Sequence, residues 1–223
     1  MSNERDEYTR RLEESLKRFL EPIKDVPFPI VIEVLAGYQV QRFDRERNVN
    51  IFELLTIAAA QAGQEAAKKG IIADRPNEAG NRIEPFVIDA LNEVGFVAGK
   101  PRTKSGKIKA AGYPDIEIQH ESGWTGYLDC KTFSSKSAGS TFRAFYLSPS
   151  AEPKITKSAP HLLLSFELRQ RGRNNYLPLS WHLYDLHGLA VKVKHEFNAS
   201  NRDVYTVELL LAEGSVSGWI FLY

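Results

Sequence analysis

Residues 112–133, GYPDIEIQHESGWTGYLDCKTF, constrain the fold more than any other stretch of the chain. Two runs of alternating apolar and polar residues flank Glu121-Ser122-Gly123-Trp124-Thr125-Gly126, a Gly-containing segment that predicts the turn of a β-hairpin. Successive side chains of a strand point to opposite faces, so Tyr127, Asp129 and Lys131 share one face while Leu128 and Cys130 take the other. The second strand therefore carries a carboxylate beside an ammonium, and Cys130 turns its thiol towards the core rather than serving as a nucleophile. If Asp115 on the neighbouring strand lies alongside, the set comprises two hard oxygen ligands for Mg²⁺ and an adjacent cation. Such a set suits phosphodiester hydrolysis.

The elements around the hairpin predict an α/β chain. Tyr8, Leu12, Leu16, Phe19, Leu20 and Ile23 recur at helical spacing, and Pro22, Pro27 and Pro29 mark the end of that amphipathic segment. Its apolar stripe needs a partner, either the protein's own core or a homodimer seam. Residues 30–43 read equally as helix or strand, and 50–69 read as a buried helix. A further helix carries Glu84 ahead of Phe86, Val87, Ile88, Leu91 and Val94, and Pro85 places Glu84 near its start or at a kink. Beyond the hairpin, residues 161–168 and 176–183 read as buried strands, 186–197 as a helix, and 204–211 and 218–223 as strands. Helices on both sides of a hairpin-centred sheet imply a sandwich with a central mixed β-sheet flanked by helices. One domain over residues 1–223 is expected: a mainly helical N-terminal region (1–75), a catalytic core (76–150), and C-terminal strands with a helix (151–223).

Bulk charge does not announce a nucleic-acid binder, since the net charge is +1 and the isoelectric point about 7.8. A site-specific enzyme can instead confine its positive field to a cleft. Lys100, Arg102, Lys104, Lys107 and Lys109 crowd one segment with no acid among them, just before Asp115. Arg171, Arg173 and Asn174 form a polar hairpin tip, and arginine and asparagine suit bidentate contacts to guanine and adenine edges. Ser134, Ser135, Lys136 and Arg143 supply hydroxyls and cations of the kind that fasten phosphates. Asn198 and Asn201 lie in a cationic, amide-rich tract that follows Lys192 and Lys194. Each of these clusters is equally intelligible as a solvated loop or helix end. The single cysteine excludes an internal disulfide and a Cys-rich zinc site. With no signal-peptide pattern and no apolar run of membrane-spanning length, a cytoplasmic location is expected.

Pro114-Asp115 followed by Asp129-Cys130-Lys131 resembles the PD-(D/E)XK nuclease motif, the signature of most type II restriction endonucleases and of several repair nucleases. The segment 77–86 is similar to the family's upstream helix, which usually adds a glutamate; Glu84 matches that role, with Glu78 as competitor. The resemblance covers residues 77–147. It implies a restriction-endonuclease-like sandwich and sequence-specific hydrolysis of double-stranded DNA by a metal-activated water, with Mg²⁺ as cofactor and Mn²⁺ as substitute. Asp115, Asp129, the Cys130 carbonyl and Glu84 would then hold the metal, Lys131 would act on the attacking water and the phosphate, and a palindromic target would demand a two-fold homodimer. A repair or mismatch-nicking nuclease of the same fold, and a non-catalytic nucleic-acid-binding module, are the alternatives that remain open.

Overall fold

A computed structural model describes residues 2–21, 23–73, 78–109, 111–134, 145, 147–193, 200, 202 and 209. They belong to two units, residues 24–191 and residues 1–23 with 192–223. In the second of these, α1 (Ser2–Leu20) forms as its periodicity predicts, and Tyr8, Leu12, Phe19, Leu20 and Ile23 are exposed.

The 24–191 unit holds the remaining elements: β1 (Val26–Pro27), α2 (Phe28–Ala36), β2 (Val40–Gln41), α3 (Val49–Lys69), β3 (Ile71–Ile72), α4 (Ala79–Glu93), β4 (Phe96–Gly99), β5 (Ile116–His120), β6 (Thr125–Phe133), β7 (Ala159–Gln170), β8 (Asn175–Asp185) and β9 (Ala190–Val191). Among the described residues one mixed sheet runs β3-β8-β7-β6-β5-β4, with β2 added parallel to β7. The pair β6 and β7 is parallel and the other neighbours along the path are antiparallel. The ambiguous stretch 30–43 divides into α2 and β2, with Gly37 in the left-handed conformation ending the helix.

The alternation of β6 sets up two apolar layers. Leu128 and Cys130 join Leu162, Leu164 and Phe166 of β7 against α3 and α4. Ala58, Ala59, Ala62 and Ala66 keep α3 slim, and Gly63 lets it approach the sheet: a Cβ there would stand 3.3 Å from the Phe166 ring. Tyr127, from the opposite parity, packs with Phe28 and Ile32 of α2, Ile155 and Leu186. The predicted hairpin forms between β5 and β6, with Ile116 opposite Leu128. A Cβ at Gly126 would stand 2.5 Å from the Trp124 ring, so any larger residue there would force the indole to move.

Two readings need correction. Pro85 is not in a first turn; it is the seventh residue of α4. Its missing N–H leaves the Asn81 carbonyl without its usual helical donor, a loss outweighed by burial of Ile83, Val87, Ala90 and Leu91 on the same helix. The expected helix over 186–197 is, in its described part, a single 3-10 turn (Leu186–Gly188) and then β9. Asp185 caps that turn by accepting from the His187 amide, and pairing of Val191 with Val26 draws the chain out again. The strands read at 204–211 and 218–223 lie outside the described residues, Leu209 excepted.

Candidate active site

Asp115 immediately precedes β5, and the antiparallel register brings it to the middle of β6. Its Oδ2 accepts the Cys130 amide at 2.9 Å. Lys131 Nζ lies 2.5 Å from Asp129 Oδ2 and 3.8 Å from Asp115 Oδ2, and it donates to the Cys130 carbonyl at 3.2 Å. The three side chains singled out in the sequence thus converge on one short stretch of backbone. Asp129 is 3% exposed, and its Oδ2 is in direct contact with the Lys131 ammonium.

The electrostatics follow from this burial. Desolvation, and then the charge of Asp115, push the Asp129 carboxyl up to about 7 against the pull of Lys131. Burial works against the Lys131 ammonium, yet the Asp129 carboxylate, aided by Asp115, holds its pKa above the ordinary value. The Cys130 thiol is pushed well up by burial and by the surrounding acids, so it stays protonated, as a core residue should. Two carboxylates that share one ammonium, which also meets the Cys130 carbonyl, form an all-oxygen donor set short of positive charge. That chemistry fits Mg²⁺ or Mn²⁺ rather than a softer ion.

Glu84 is buried at 8% exposure on α4, whereas Glu78 is exposed at the helix start. The Glu84 carboxylate is taken up by Lys100 in an ion pair, and among the described residues no three His, Cys, Asp or Glu side chains are gathered closely enough to hold a metal ion. Glu84 nevertheless acts electrostatically on Cys130 and Lys154.

The cationic segment 100–109 is less free than its sequence suggests. Lys109 donates to Ser150 Oγ at 3.2 Å and to the Glu152 carbonyl at 3.1 Å, Lys107 lies 3.9 Å from the Glu152 carboxylate, and Arg102 donates to the Gly106 carbonyl. Lys104 sits over the Tyr38 ring with its ammonium 5.1 Å from the centroid. Arg171 and Arg173 are exposed at the β7–β8 tip as expected, and Asn174 lends its carbonyl to the Ala73 amide. The tip is six residues beyond Ser165, the partner of Lys131, or about 20 Å along the strand. Ser134 follows β6, half-buried; Ser135, Lys136, Arg143, Asn198 and Asn201 lie outside the described residues.

Sequence reasoning missed the segment 150–157, which straps the hairpin. Glu152 receives the basic segment, Lys154 donates to the Pro114 carbonyl at 2.8 Å, the Thr156 amide donates to Tyr127 Oη at 2.9 Å, and Lys157 pairs with Glu117 at 2.8 Å. No periodicity marks such a strap, because its partners are supplied by tertiary structure. His161 of β7 is a structural histidine. It is fully buried, bonded through Nδ1 to Tyr113 Oη at 2.7 Å, and burial lowers its pKa to about 3, so it stays neutral.

The family model for the Type II restriction enzyme MjaV family matches residues 22–208. The chain belongs to that family. It is similar to the Type II restriction enzyme MjaV of Methanocaldococcus jannaschii, with 36% identity in an alignment that covers 92% of this chain and 96% of the relative. No solved structure matches. The family match takes in the whole hairpin, the helix bearing Glu84 and the 150–157 strap, so this entire apparatus falls within the part of the chain shared by the restriction-enzyme family. No helix among the described residues is long and apolar enough to cross a membrane.

Proposed function

We propose that the convergence of Asp115, Asp129 and Lys131 on the Cys130 backbone is the hydrolytic centre of a PD-(D/E)XK nuclease, built on a restriction-endonuclease-like sandwich. The protein is a type II restriction enzyme, a sequence-specific endonuclease acting on DNA. Family membership favours this over the repair-nuclease and non-catalytic readings. The observation that carries the assignment of the centre is the contact of Lys131 with both carboxylates, which leaves one ammonium and two acids facing a single point.

Asp115 and Asp129, with the Cys130 carbonyl beside them, would hold a Mg²⁺ or Mn²⁺ ion, and Glu84 would extend the set by exchanging Lys100 for it. When bound, the ion supplies Lewis acidity and lowers the pKa of the attacking water. Lys131 orients that water through its N–H donors and places positive charge where the phosphoryl oxygens gain negative charge. Asp129 and Asp115 fix the Lys131 side chain, so the ammonium is preorganised before substrate arrives. A palindromic duplex would be cut on both strands by a two-fold homodimer, each protomer presenting one centre. Digestion of a long natural duplex tests the assignment: the protein should yield discrete fragments whose ends share one sequence, and Lys131→Ala should yield none, with a rate lower by about 10²–10⁴-fold. Undiminished fragmentation by Lys131→Ala would remove Lys131 from the centre.

DNA contacts divide by type. Lys104 and Lys107, the exposed lysines of their segment, suit phosphates, whereas Lys109 is committed to the strap. The double change Lys104→Ala and Lys107→Ala should weaken cognate and random duplexes equally and flatten the salt dependence by a slope of about 2. Arg171→Ala or Arg173→Ala should cost about 1–3 kcal/mol on the cognate duplex and little on a scrambled one. Binding titrations at several salt concentrations separate the two patterns, and parental binding by all the variants would place the DNA-facing surface elsewhere.

A further inference from the structure

Lys154 lies on the 150–157 strap and is 3% exposed, burial unusual for an ammonium. Its Nζ donates to the Pro114 carbonyl, which is its one hydrogen-bond acceptor among the described residues. It has no carboxylate within ion-pair distance there, and its charge is offset at longer range by Asp115, Glu84 and Asp129, with Lys100 opposing. An apolar side chain of similar volume would fill such a place without the cost of desolvating a charge. The strap fixes where this ammonium goes. Ile155 is buried beside it, Thr156 is tied to Tyr127 of β6, and Lys157 is paired with Glu117 of β5. Both strands of the hairpin therefore hold the segment that carries Lys154, and its head group is delivered to the peptide joining Pro114 to Asp115.

We infer that Lys154 is a positioning residue of the centre: by holding the Pro114 carbonyl it fixes the backbone that aims Asp115 at the Cys130 amide and Lys131. The inference rests on the proposed role of Asp115, Asp129 and Lys131. It assigns Lys154 no contact with DNA, because its head group is buried. A displacement of Asp115 by a fraction of an ångström to 1 Å is enough to lower a rate by about 10–10²-fold without altering substrate affinity. Lys131 remains the ammonium that faces substrate, and Lys154 works from behind the acid.

The test uses the full chain with Lys154→Met, Lys154→Gln and Lys154→Arg, and reads three quantities: single-turnover cleavage rate, Kd for the cognate duplex, and melting temperature. Met and Gln should cut about 10–10²-fold more slowly at a temperature where each is folded, with Kd unchanged within about twofold, and Arg should recover most of the rate. A purely structural lysine would instead lower the melting temperature and leave the rate of the folded fraction at the parent's value. That result, an Arg variant no faster than Met or Gln, or failure of both neutral variants to fold, would overturn the inference. Asp129→Asn run in parallel keeps the two levels apart. If it cuts like the parent, the centre itself is misplaced; if it is inactive while the Lys154 variants are unimpaired, only the role of Lys154 fails.

Discussion

Asp129→Asn is expected to lower the single-turnover cleavage rate by about 10³-fold or more and, at the same time, to raise the melting temperature of the metal-free protein. The two effects have one cause. Asp129 is a buried acid with Asp115 as a neighbour of like charge, and its carboxyl is pushed up to about 7. A carboxyl whose pKa is higher in the folded than in the unfolded chain favours folding while it is protonated. That contribution is lost as pH rises from the ordinary carboxyl range, near 4, through 7. At pH 8 the folded chain therefore bears the full cost of the buried charge. Asn, a neutral stand-in for the protonated acid, removes that cost, on the order of a few kcal/mol, the pull of Lys131 being already included in the raised pKa. The stability gap between variant and parent should widen from pH 5 to pH 8, as measured by denaturant titration without divalent cations. The loss of rate arises because Asn keeps the shape of the side chain but not the negative charge that holds Lys131 and would hold a cation. A variant that is both more stable and inactive would identify Asp129 as a group retained for chemistry. Parental activity in the folded variant would remove Asp129 from the centre.

The sequence made the centre legible through period and parity. Alternation in 114–131, with a Gly-containing turn, was enough to pair β5 with β6, to separate Asp129 and Lys131 from Leu128 and Cys130, and to bring Asp115 alongside. Burial of Glu84 and exposure of Glu78 follow from helical spacing, because Glu84 falls between Ile83 and Val87 on the inner side of α4. What the chain did not disclose depends on contacts between distant residues. The pairing of Glu84 with Lys100, and of Lys107 and Lys109 with Glu152, converts a run with no acid of its own into a partly neutralised one. Lys154 in Ala151-Glu152-Pro153-Lys154 looks like any solvated lysine of a loop, and only the strap's tertiary attachments bury it. Pro85, expected in a first turn or at a kink, lies inside α4, where the apolar face packed on the sheet outweighs the preference of proline for a helix start.

Cleavage should cease in excess chelator and return with Mg²⁺ or Mn²⁺, whereas Ca²⁺ should restore tight cognate binding without hydrolysis. The expectation comes from the centre's unbalanced charge. Two acids converge on one ammonium, and the donors are carboxylate and carbonyl oxygens, so a hard divalent cation is the complement they lack. With the carboxylates uncompensated, a phosphodiester brought beside them would meet net repulsion from Asp115 and Asp129 that Lys131 alone offsets only in part. Chelation should therefore weaken cognate binding as well as abolish cutting, and Ca²⁺ should repair the first defect alone, since a larger ion with looser geometry neutralises charge but tunes water poorly. Asp129→Asn should behave oppositely in binding: with one acid gone, its affinity for the duplex should depend much less on divalent cation than the parent's. Filter binding and cleavage assays on the same duplex, across a titration of each cation, read both quantities. Cleavage that persists undiminished in excess chelator would exclude a divalent-metal mechanism and leave the Asp115–Asp129–Lys131 cluster without the role proposed for it.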